Sequence, residues 1–217
     1  MRITVNVPTS LSEITLGQYQ KFIKISENNP EGNFLDAKMI EIFCGIPLSE
    51  SYKLKMHSVA AIIDILTEML ESKPKHVQRF KMNGVEYGFI PDLNEMSLGE
   101  YVDLDNNASK WEMMHIAMNV LYRPIKVSKL GKYSIEDYSV SNPEKMKDMP
   151  LDAAIASLFF FYHLGMELAR DTILSLDKQQ QMEIYQGQQT LEGSGVGINQ
   201  FMDSLTEILQ DLKISLN

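Results

Sequence analysis

The stretch "RFKMNGVEYGFIPDLNEMSLGEY", residues 79–101, writes a strand, a tight turn, a second strand, a loop and a helix start in one run. Asn83-Gly84 is the strongest short hairpin signal, because both residues tolerate the positive φ that a two-residue turn demands. Phe80 and Met82 alternate before it, and Val85, Tyr87 and Phe89 after it, as on a strand with one apolar face. Pro91-Asp92 then breaks the pattern. Ser97 stands three residues before Glu100 and so forms a capping box: the hydroxyl accepts from a first-turn N–H, and the carboxylate reaches back to the cap's own N–H. Met96 before the cap and Tyr101 in the first turn are placed for a hydrophobic staple.

The end of this run, "EMSLGEY", has a near copy in "EITLGQY" at residues 13–19, where Thr15 and Gln18 make the box and Ile14 and Tyr19 the staple. The first copy follows the strand-like "RITVNV". The phrase thus marks a strand handing over to a helix in both places, with each cap contributing about 1 kcal/mol. A duplicated unit and convergent capping both produce such a pair, and capping alone suffices.

Working outward, helices are expected over about 16–26, 34–43 and 49–72, the last with Leu54, Val59, Ile62, Ile63, Leu66, Met69 and Leu70 at helical spacing. After the second box, Trp111, Met114, Ala117, Met118 and Leu121 repeat the helical period until Pro124 stops it. Residues 125–150 show no clear period and read as an extended arm with two short strands. From Leu151 to about Tyr185 a long helix begins apolar and turns polar. The glycine-rich "EGSGVG" then leads to an amphipathic helix over 199–214, with Phe201, Leu205, Ile208 and Leu212 in a narrow coiled-coil-like stripe. The expected fold is mainly α: a helical bundle with a small β-hairpin (about 77–90) and an N-terminal strand, an extended middle arm (about 125–150) and a tethered C-terminal helix. The body spans 1–191, and the linker with its helix 192–217.

Composition bounds the chemistry. The 217 residues are 44% hydrophobic and 23% charged, an ordinary globular makeup with ample material for a core. A net charge of −9 argues against non-specific binding to nucleic acid or anionic membrane. The single cysteine, Cys44, allows no intrachain disulfide and suits a reducing compartment. The N-terminal segment lacks the apolar core of a secretory signal. The apolar run 153–166 is shorter than the roughly 20 residues that cross a bilayer, and reads as a core helix.

Candidate sites are few. His57, His76, His115 and His163 share no metal-ligand spacing with each other or with Cys44. His115 and His163 fall within apolar helical faces, as core or groove residues. "GSGVG" at 193–197 lacks the preceding strand and following Lys-Ser/Thr of a phosphate loop. Two basic clusters stand against the acidic average: Lys73, Lys75, Arg79 and Lys81 before the hairpin, and Arg123, Lys126, Lys129 and Lys132 at the start of the arm. Each is either a solvated face or a contact for an acidic partner or DNA, with the acidic partner favoured by net charge. No catalytic, metal or cofactor residues emerge, and a non-enzymatic role is expected.

The pattern of a strand, then G-x-x-Y-x-F-I-P-D-L at residues 84–93, then a capped helix resembles small structural and assembly proteins of tailed bacteriophages. The style is that of crAss-like and related phages of Bacteroides. The likeness spans about residues 3–22 and 80–104 and carries no functional residue with it. It implies a virion protein assembled in the host bacterial cytoplasm: a head–tail connector or adaptor forming a multimeric ring at the portal–tail neck. Its alternatives are a tail assembly chaperone or a capsid cargo protein. The expected partners are copies of itself and the portal or an adjoining tail ring, with DNA at most lining a conduit. The expected contacts are Phe201, Leu205, Ile208 and Leu212 between subunits, and Arg123, Lys126, Lys129 and Lys132 toward an acidic partner or DNA.

Overall fold

The structure is a computed structural model that describes residues 5–175, the backbone alone being described from 165 onward. Seven helices and four strands are described: α1 (Leu16–Ser26), α2 (Asn33–Cys44), α3 (Leu48–Ser51), α4 (Met56–Leu70), β1 (Arg79–Met82), β2 (Val85–Phe89), α5 (Leu98–Ala108), α6 (Met114–Leu121), β3 (Tyr122–Lys129), β4 (Lys132–Ile135) and α7 (Leu151–Ser175). Over the described residues the chain is mainly helical, with an antiparallel sheet ordered β1-β2-β3-β4.

Both capping boxes form. Thr15 Oγ1 accepts from Gln18 N at 3.1 Å while Gln18 Oε1 accepts from Thr15 N at 2.8 Å. Ser97 Oγ accepts from Glu100 N, and Glu100 Oε2 accepts from Ser97 N at 2.7 Å. The staples diverge: Ile14 and Tyr19 are buried, whereas Tyr101 is half-exposed. The first box is also tied to the start of α7. Leu16 N donates to Met149 O and Leu151 N to Ile14 O, so two helix entries share one backbone bridge.

The core gathers around α6, which is buried on nearly every side. It packs on α5 and on the 3-10 segment Pro143–Asp148, while α1 packs on α2 and α2 on α4. The apolar start of α7 closes the core with Leu151, Ala154, Ile155 and Leu158. On the inner face of the sheet Phe80 stacks on Tyr87, and Phe89 meets Tyr122 and Phe160 edge-on. Tyr122 pins three elements together: its hydroxyl donates to Val77 O at 2.6 Å and lies 3.1 Å from Ser157 Oγ.

Three expectations need correction. The N-terminal strand is absent over residues 5–9; Val5 and Val7 pack against the core without ladder partners, and the chain enters a 3-10 turn capped by Ser10. The helix expected over 49–72 is two, α3 and α4, because Ser51 Oγ turns back to Ile46 O and Pro47 O and Lys55 is extended. The middle segment is not an extended arm along its whole length. Residues 122–135 complete the sheet, and Met146 and Met149 are fully buried against the helices. Packing of these two methionines fastens the end of the segment to the body. The linker and helix assigned to 192–217, with the stripe Phe201, Leu205, Ile208 and Leu212, lie outside the described residues.

Candidate interaction site

Two hairpins share one turn geometry. Asn83 and Gly84 join β1 to β2 with φ of 51° and 79°; Leu130 and Gly131 join β3 to β4 with φ of 49° and 80°. Both are two-residue loops with positive φ throughout, the signature of a type I′ turn. Asn83 suits that geometry. Leu130 does not, since its side chain strains a left-handed backbone. It is also fully solvent-exposed.

The β3–β4 hairpin is nevertheless held firmly up to its tip. The Arg79 guanidinium stacks 4.4 Å from the centre of the Tyr133 ring and donates to Ser128 Oγ and Gly131 O, both at 3.1 Å. Tyr133 lies across Gly88, and its hydroxyl donates to Phe89 O at 2.7 Å. A Cβ at position 88 would overlap that ring, so the glycine is required by close approach. The tip presents Leu130 beside half-exposed Val127, with Lys129 and Lys132 exposed on either side.

The four basic residues expected to act together are split. Lys129 and Lys132 flank the tip. Lys126 reaches Asp137 at 3.2 Å on the surface. Arg123 turns inward and lies 2.8 Å from Glu100, with side chains 11% and 7% exposed. It is thus committed to the cap of α5 and does not belong to an outward contact. Burial pushes the Glu100 carboxyl up, but hydrogen bonds from Ser97 together with Arg123 outweigh this and hold it below the usual range. Beside this pair Tyr138 donates to Asp103 at 2.6 Å; burial and that acidic neighbour raise its phenol far above the ordinary value. Of the other basic cluster, Arg79 is engaged with Tyr133 and the tip.

A second feature has no trace in the sequence pattern. Between α1, α2 and α4 lies a cavity of about 540 Å³, whose lining includes Phe22, Leu35, Met39, Ile63 and Leu70. Glu31, Asp36 and Glu71 stand at it, and no lysine or arginine is among its described lining residues. Burial, and then Glu31 close by, push the Asp36 carboxyl up. A shallower polar cleft of about 550 Å³ runs past Thr9, Lys75, His76, Arg79 and Asp152.

The remaining sequence candidates are structural. His115 is buried, with Nδ1 3.2 Å from Gln20 Nε2 and Nε2 3.1 Å from Glu144 Oε1. His163 faces solvent instead of the core. Cys44 ends α2, and burial pushes its thiol up to about 11, leaving it unreactive near neutrality. Among the described residues no group of three or more His, Cys, Asp or Glu side chains is placed to hold a metal ion, and no helix is long and apolar enough to cross a membrane.

Sequence reasoning found the lysines but not what they surround. The only local sign of the second hairpin was Gly131, and a leucine before it hides the turn. The cavity is assembled from three helices and had no linear signature. Comparison of the chain with protein-family models, with curated proteins and with solved structures finds no match to any of them.

Proposed function

We propose that this chain is a non-catalytic structural subunit of a tailed-phage virion, forming a multimeric ring at the portal–tail neck. The likeness of residues 3–22 and 80–104 to small phage structural proteins supports the assignment. The observation that carries it is the β3–β4 tip: a fully exposed leucine on a left-handed backbone, held by Arg79 and flanked by lysines. In a lone protein such a residue costs backbone strain and leaves apolar surface wet, and stored strain of this kind marks sites of contact. A ring offers the cover, since every subunit repeats the same contact.

The test is mass spectrometry of purified virions together with sedimentation of the purified full chain. The subunit should occur at fixed stoichiometry with the portal and sediment as a multimer. Deleting residues 192–217 should also block neck assembly while leaving the body folded, if Phe201, Leu205, Ile208 and Leu212 clasp a neighbour. A chain absent from finished virions would instead fit a tail assembly chaperone. That second reading is favoured by the exposed stripe Leu98, Tyr101 and Val102 on α5, an apolar face of the kind that holds an incompletely folded client.

A further inference from the structure

The tip and the cavity are complementary in shape class and in charge, and they lie on different elements of one molecule. The tip is convex, apolar at Leu130 and basic at Lys129 and Lys132. The cavity is concave, lined by apolar side chains such as Phe22, Met39 and Ile63 and by the carboxylates of Asp36 and Glu71. We propose that the β3–β4 tip of one copy docks into the α1–α2–α4 cavity of the next, with Leu130 against the apolar lining and Lys129 and Lys132 against the acidic rim. This rests on the ring reading above and names the contact that builds it.

Three observations select a second copy as the occupant. Leu130 is fully exposed, so it does not fill the cavity of its own chain. The firm seating of the hairpin by Arg79, Tyr133 and Gly88 means that the docking shape exists before contact, which lowers the ordering cost of association. The chain's own segment 199–214 carries Asp203, Glu207 and Asp211 against Lys213, and so offers the wrong charge for an acidic rim. A contact between two different patches of identical molecules is head-to-tail, and it yields a ring when the rotation closes.

Sedimentation velocity of the full chain tests the proposal with three variants. Leu130→Asn removes the anchor while suiting the turn better, so folding is preserved. Lys129→Glu/Lys132→Glu reverses the tip, and Asp36→Lys/Glu71→Lys reverses the rim. Each variant alone should assemble at least about tenfold more weakly than wild type, as expected for loss of a central anchor or for like charges brought together. An equimolar mixture of the tip-reversed and rim-reversed chains should recover assembly, because each tip then meets an opposite rim. Wild-type multimers that persist unchanged in all three variants would overturn this contact while leaving the ring intact. Rim reversal that changes only stability, with assembly intact, would also overturn it by assigning the cavity to the chain's own residues 176–217. A wild-type chain that stays monomeric at every concentration would overturn the ring and this contact together.

Discussion

Arg123 Nη1 lies 2.8 Å from Glu100 Oε1, and the two side chains are almost out of water. Glu100 has a second duty, since its other oxygen accepts from the Ser97 amide and hydroxyl at 2.7 Å each. One carboxylate therefore caps α5 and ties it to β3. Removing one member strands the other without its counter-charge in a site shielded from solvent, so Arg123→Ala should destabilise by about 3 kcal/mol. Glu100→Gln/Arg123→Met should recover much of that loss. Urea unfolding of the variants measures both, and equal costs for the single and double variants would refute the coupling.

The two capping boxes should differ in value despite their matching sequence. Thr15→Ala removes one hydroxyl acceptor and should cost about 1 kcal/mol. Ser97→Ala removes the acceptor and also a donor to the buried Glu100 carboxylate, and should cost closer to 2 kcal/mol. Thermal unfolding of the pair gives the order.

Gly88→Ala places a methyl group where Tyr133 lies. The ring must move, taking with it the hydroxyl contact to Phe89 O and the Arg79 stack. A loss of about 1–3 kcal/mol is expected, in the range of overpacked sites. In a Tyr133→Ala background the same change should cost much less, since the two positions share one contact. Equal costs in both backgrounds would show that the ring does not restrain position 88.

His115 makes stability depend on pH. Burial lowers its pKa from 6.5, Lys147 nearby lowers it further, and Glu144 only partly opposes them. A group whose folded pKa is depressed binds fewer protons in the folded state, so its contribution is present above the unfolded pKa and is lost as pH falls below about 6.5 toward the folded value. His76, whose pKa burial also lowers, acts in the same direction. Stability should therefore decline as pH falls from 7 to about 5. His115→Gln should flatten that slope, and denaturant midpoints across the range provide the measurement.

Local chemistry in the chain determined the two capping boxes, the Asn83-Gly84 hairpin, the bounds of α1 and the apolar faces of α4 and α6, because each depends on residues within a few positions of one another. Tertiary structure alone decided the rest. Val5 and Val7 alternate like a strand yet join no ladder, because their side chains are taken up by packing against the core instead of by a sheet edge. Met146 and Met149 look like part of a loose arm until the cleft beside α6 buries them. Arg123 reads as surface charge until Glu100 meets it across the fold. The cavity between α1, α2 and α4 exists only where three helices converge, and Leu130 becomes conspicuous only once its backbone is seen to be left-handed. Periodicity and capping act along the chain, whereas burial, charge pairing and concavity are set by residues that sequence distance does not relate.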